Sequence, residues 1–236
     1  MRHGGTRSIQ AFCGPLEKPN EDEIMKTPLR LPTTLLIIPL LLLSALSSHA
    51  QETGPEGSRE TTPEAVVNRL ETMLIENMQA AESLTFDERF EKLRPLVEDI
   101  MAVDRMGRFL FGRDWASFDP QQRERFKSAF LDLSAATYAN RFKEFGGEHF
   151  DPVEVQRQRE DRAVVRHRLT TGSGKKIAFD YLMTHSDDGW QIVTIITDGV
   201  SDLAIKRSQY RRLLDDQGFD AVVSRIRESA ASQRSG

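Results

Sequence analysis

Between Phe145 and Phe150 the spacing of apolar residues changes from a helical period to a two-residue alternation, with Gly146-Gly147 at the change. Downstream lie four alternating segments, 150–157, 163–171, 175–185 and 190–198. The last three are joined by Gly172-Ser173-Gly174 and Asp187-Asp188-Gly189, connections too short for anything but antiparallel hairpins. Ile177, Phe179, Tyr181 and Met183 share one face of the third strand, and Trp190, Ile192 and Ile196 one face of the fourth. This wide apolar surface must be covered by other elements.

Helices on both sides of the meander supply the cover. Thr62-Pro63-Glu64 is a helix start, followed by Val66, Val67, Leu70, Met73, Leu74 and Met78 on one stripe. Thr85-Phe86-Asp87-Glu88 is a capping box, and Pro95 is expected to kink or split the helix it opens. A short helix over 104–111 stops at Gly112, and Asp119-Pro120 opens the longest helix, expected to reach Phe145. Two closing helices, 200–214 and 219–228, are separated by Gly218. The order implies an α+β fold, helices packed on one face of a curved antiparallel sheet of about four strands.

Residues 25–50 combine a basic start (Lys26, Arg30), an apolar run over 35–46 and Ser48-His49-Ala50, which together read as an export signal cleaved after Ala50. Met25 is the better candidate for the true start. The organisation expected is leader and signal over 1–50, a polar linker over 51–61, a folded part over 62–230 and a polar tail over 231–236. The only cysteine, Cys13, precedes the cleavage point, so the mature chain has no disulfide. With 32 basic and 36 acidic residues, a net charge of −4 and no long basic tract, nucleic acid is not an expected partner.

Few residues suggest chemistry. Gly172-Ser173-Gly174-Lys175 lies between strands, whereas a phosphate-binding loop needs a helix on one side. His149, His167 and His185 lack helical metal-site spacing, although His167 and His185 could meet across adjacent strands. Asp180 and Asp198 are the best acid–base candidates, for an enzyme that desolvates one of them. Lys206, Arg207, Arg211 and Arg212 form the best cationic cluster for a phosphate headgroup or an acidic partner. The large aromatics Phe109, Phe111, Trp115, Phe126, Phe130, Tyr138, Phe142, Phe179, Tyr181 and Trp190 either fill a core or line a cavity, and periodicity does not distinguish the two. A ligand-free envelope adaptor with a filled core is therefore a third reading.

The stretch 106–138, with Trp115, Gln121-Gln122 and Thr137-Tyr138-Ala139, resembles the MlaC family of periplasmic lipid carriers from toluene-tolerance transport systems. So do Gly189-Trp190-Gln191-Ile192-Val193, Asp198-Gly199-Val200-Ser201, Arg207-Ser208-Gln209-Tyr210 and Gly218-Phe219-Asp220. Asp202-Leu203-Ala204, Asn140-Arg141-Phe142 and Gly147-Glu148-His149-Phe150 are similar to the hopanoid-associated HpnM branch. The resemblance implies a non-enzymatic shuttle without cofactor or metal, holding the hydrocarbon of a phospholipid or hopanoid in an apolar pocket between helices and sheet. It further implies an inner-membrane ABC transporter with a lipid-accepting subunit and an outer-membrane lipoprotein complex as partners. Pocket residues expected on that basis are Met106, Phe109, Leu110, Phe130, Leu133, Tyr138, Phe179, Tyr181, Ile192, Val200 and Leu203.

Overall fold

The computed structural model describes residues 62–235; the export signal, Cys13 and the linker lie outside the described residues. Helix α1 (Pro63–Gln79) starts where Thr62 accepts a hydrogen bond from the Ala65 amide, and Val66, Val67, Leu70, Leu74 and Met78 are buried along it. Helix α2 (Phe86–Ile100) carries the expected capping box between Thr85 and Glu88. It runs unbroken through Pro95, so of the expected kink or split the split does not occur. A proline removes one backbone donor, and the buried stripe Leu93, Leu96, Val97 and Ile100 continues across the position.

Helix α3 (Val103–Phe111) ends at Gly112, whose φ of 62° lies in the left-handed region. A single turn, α4 (Asp114–Ser117), buries Trp115. Helix α5 (Pro120–Arg141) opens with a capping box between Asp119 and Gln122. It stops at Arg141, short of the expected Phe145. Beyond it, the Glu148 carboxylate accepts from the amides of Gly146 (2.5 Å) and Gly172 (3.2 Å), which ties this segment to the Gly172-Ser173-Gly174 turn in place of further helix. The approach is so close that a β-carbon on Gly172 would sit 2.2 Å from the Gly146 carbonyl oxygen.

The sheet is antiparallel throughout, ordered β1 (His149–Arg159), β2 (Arg162–Thr170), β3 (Lys176–Ser186), β4 (Gly189–Thr197) and β5 (Val200–Ser201). The fifth strand was not expected. Asp198 (φ 48°) and Gly199 (φ 80°) turn the chain back so that Val200 and Ser201 pair with Thr197 and Ile196. Helix α6 (Asp202–Gln217) therefore begins two residues later than expected, with Ser201 as its cap. Helix α7 (Phe219–Arg234) continues through most of the expected polar tail. Among the described residues, no helix is long and apolar enough to cross a membrane.

A register shift in β4 alters the inner face. Met183 pairs with Ile192 but Leu182 pairs with Thr194, leaving Val193 as an extra residue. Past this bulge the alternation inverts: Ile195 stands opposite Tyr181 and Thr197 opposite Phe179, while Ile196 pairs with Asp180 on the other face. The expected placement of Ile196 beside Trp190 and Ile192 is thereby corrected.

Eight of the large aromatic residues divide between two environments. Phe111, Trp115, Phe118 and Phe126 pack ring against ring at centroid distances of 5.1 to 6.2 Å and form solid core. Phe130, Tyr138, Phe142 and Phe179 instead line a cavity.

Candidate lipid-binding cavity

The cavity lies between α5 and the bulged strand β4, closed by α3 and the first turn of α6, with about 100 Å³ of free space. Phe130, Leu133, Ser134, Thr137, Tyr138 and Arg141 come from one stripe of α5. Because of the bulge, Ile192, Val193, Thr194, Ile195 and Thr197 all reach the lining from β4. Met106 of α3 and Leu203 of α6 complete the apolar wall with Met101, Phe142 and Phe179.

The polar lining is mostly self-satisfied. The hydroxyls of Ser134 and Thr137 donate to the carbonyls of Phe130 (2.9 Å) and Leu133 (2.7 Å), four residues back, and Thr194 and Ser201 share a hydrogen bond of 3.3 Å. Thr197 differs: it is 1% exposed, and its hydroxyl has no partner in the structure. Charge is supplied by Arg141, Asp202 and Lys206. Lys206 reaches Asp202 at 2.7 Å, and the Asp202 side chain is 48% exposed, so this end of the cavity meets solvent. Burial raises the Tyr138 phenol well above its usual range, reinforced by the negative charge of Asp202. Burial also lowers the Arg141 guanidinium, an effect that Asp202 opposes.

Of the residues expected to form a pocket, Met106, Phe130, Leu133, Tyr138, Phe179, Ile192 and Leu203 line this cavity. Four do not. Phe109 points outward, 39% exposed, with the Arg207 guanidinium 5.0 Å above its ring. Leu110 is fully buried core. Val200 is held in β5. Tyr181 packs deeper, where its hydroxyl donates to Glu71 at 2.9 Å. His167 meets the other Glu71 oxygen at 2.7 Å, so one buried carboxylate joins α1 to β2 and β3.

Of the four expected cations only Lys206 is in the lining. Arg211 extends across the end of α3 toward the Phe111 carbonyl (3.5 Å), and Arg212 is exposed. Arg141 and Asp202 were missed as lining residues. Extending the α5 stripe from Leu133, Ser134, Thr137 and Tyr138 by one more step would have found Arg141.

Other candidate chemistries lie elsewhere. Asp180 is on the outer face, paired with Ile196 and 3.7 Å from Arg166. Asp198 accepts from the Ala178 amide at 2.9 Å. Neither lines the cavity. His167 and His185 do not meet: His167 stands opposite Phe179, whereas His185 is exposed against Trp190. The described residues contain no cluster of three or more metal-ligating acids, histidines or cysteines. Gly172-Ser173-Gly174 forms a hairpin turn, closed by the Gly174 amide on the Thr171 carbonyl at 2.7 Å. A wider hollow of about 730 Å³ near that turn has a mixed lining, in which Met78, Phe145 and Ile177 alternate with Glu82, Lys143, Glu144, Glu148 and Lys175.

Comparison with known proteins places this architecture. A solved phospholipid-binding protein from Ralstonia solanacearum, in complex with a phospholipid, shares the fold with a TM-score of 0.61 at 17% identity. The match covers 72% of this chain and 95% of that one. The intermembrane phospholipid transport system binding protein MlaC of Haemophilus influenzae is 21% identical over 182 residues, covering 73% of this chain and 84% of the relative. The sequence model of the family described as MlaC protein matches residues 68–228. The chain therefore belongs to the MlaC family.

Proposed function

We propose that this protein is a periplasmic phospholipid carrier, which takes lipid tails into the cavity between α5 and β4 and moves them across the aqueous space between two membranes. The observation that carries this reading is the cavity itself: an apolar wall contributed by helix and sheet, with charged groups at the end that meets solvent. The names of the two relatives, one a phospholipid-binding protein and one a component of an intermembrane phospholipid transport system, support the same cargo class. The export signal read at 25–50 supplies the compartment. An inner-membrane ABC transporter and an outer-membrane lipoprotein complex are the corresponding acceptor and donor.

Energetics favour the assignment. Each methylene buried contributes about 0.8 kcal/mol, so about ten buried methylenes, roughly 8 kcal/mol, correspond to micromolar retention and both tails have to enter well beyond their first carbons. The cavity of about 100 Å³ is smaller than one that holds benzene, roughly 150 Å³, so loading a tail must widen it. Mass spectrometry of organic extracts from protein purified natively from the periplasm tests the reading. Stoichiometric phospholipid is expected. Stoichiometric hopanoid would reassign the cargo to the polycyclic lipid of the related branch, and protein free of any lipid would remove the carrier function.

A further inference from the structure

The geometry points to the Arg141–Asp202–Lys206 group as a phosphate-recognition rim, in which the Asp202 carboxylate occupies the place of a lipid phosphodiester and yields Lys206 when the lipid enters. This rests on the phospholipid-carrier reading and deepens it by assigning the residues that select a phosphate over an uncharged headgroup.

Three observations support it. The charged groups in the cavity lining are two cations and one anion, a local charge of +1 in a chain whose net charge is −4. That excess matches the single negative charge of a phosphodiester. Second, the cations come from opposite walls, Arg141 from the last turn of α5 and Lys206 from the second turn of α6. Asp202 holds Lys206 at 2.7 Å at the solvent-facing end, where an entering anion can replace a carboxylate without first being buried. Third, the Thr197 hydroxyl in the same lining is a buried donor without a partner, which the carbonyl oxygen of an acyl ester would satisfy. A lipid with an acyl ester inside and a phosphodiester at the rim answers both features.

The test uses full-length purified protein incubated with vesicles of phosphatidylglycerol or of diacylglycerol with the same tails in a neutral carrier lipid, with retained lipid counted by mass spectrometry. Wild type should retain phosphatidylglycerol in preference. Lys206→Gln should lower the phosphatidylglycerol-to-diacylglycerol ratio roughly tenfold, the worth of one charge-assisted hydrogen bond. Asp202→Asn, which removes the resident anion, should instead raise phosphatidylglycerol retention. Circular dichroism of both variants checks that they fold, the Lys206 side chain being 20% exposed and that of Asp202 48%. If Asp202→Asn loses phosphatidylglycerol as Lys206→Gln does, the pair merely fastens α6 and the proposal is overturned. Unchanged ratios in both variants overturn it too, while leaving the carrier reading intact. Wild type that retains neither lipid defeats the carrier reading itself. Inorganic phosphate at millimolar concentration should leave retention unaltered; displacement of phosphatidylglycerol by it would make the rim a site for the free anion.

Discussion

Gly107 lies inside α3, where alanine is ordinarily better than glycine by about 0.8–1.0 kcal/mol. Here the preference should reverse. A β-carbon at Gly107 would come within 2.6 Å of the Trp115 ring, which is itself wedged among Phe111, Phe118 and Phe126. Gly107→Ala is expected to destabilise the fold by about 1–3 kcal/mol, the usual cost of overpacking, read as a lower urea midpoint. The three tyrosines of the chain make a second prediction at this scale. Burial, with Asp202 or Glu71 adding negative charge nearby, raises Tyr138, Tyr181 and Tyr210 above the ordinary value of 10.0. The unfolded chain releases these protons first. Their contribution to stability is therefore complete below pH 10 and is lost as pH rises from there toward the raised folded-state values. Tyrosinate absorbance and loss of helical circular dichroism should appear together in one alkaline transition. Full tyrosinate absorbance in a chain that retains its helices would contradict the burial of all three phenols.

At the scale of elements, the bulge at Val193 determines which half of β4 faces the cavity. Deleting Val193 removes the extra residue, so the pairs Leu182–Thr194, Tyr181–Ile195 and Phe179–Thr197 follow Met183–Ile192 without a break, and Ile195 and Thr197 still face inward with Ile196 outward. The variant should keep its helical signal and most of its bound lipid, losing only the lining supplied by Val193, measured on the same preparation by circular dichroism and mass spectrometry; complete loss of lipid would mean that the local bend at the bulge, beyond the facing of Ile195 and Thr197, shapes the wall. This bulge also marks the limit of what the chain reveals before folding. The capping box at Thr85, the helix start at Asp119-Pro120 and the hairpin turns were legible because their signals lie within a few residues. The two-residue strand β5 was not, because Val200-Ser201 is extended only through pairing with Ile196 and Thr197. The early end of α5 likewise depends on Glu148 binding amides from two separated segments. Within the cavity, Phe130, Leu133 and Tyr138 were expected from the family resemblance, as was Tyr181, which shares a strand face with Phe179 and yet reaches Glu71 in place of the cavity. Depth within a layer is a tertiary property that alternation does not encode.

For the molecule as a whole, free space between helices and sheet sets stability against lipid capacity. A filled core is the more stable arrangement of such layers, because each wall atom without a neighbour forfeits packing contacts. Ser134 is the position at which to test this opposition. It lies on α5 in the cavity lining, and its hydroxyl is satisfied by the Phe130 carbonyl of its own helix, a bond whose loss leaves that carbonyl its helical amide. Ser134→Leu would place a branched hydrocarbon in the space of about 100 Å³ and exchange a poorer helix former for a better one. The fold should gain about 0.5–2 kcal/mol, seen as a higher melting temperature, while bound phospholipid falls. Opposite movement of the two quantities is the expected signature of a cavity maintained for cargo. A higher melting temperature with undiminished lipid would shift the tails to another part of the surface, with the wider hollow beside the β2–β3 turn as the next place to look. A lower melting temperature with lost lipid would mean that the space is too tightly shaped to admit a side chain, and that its opening is driven by the lipid.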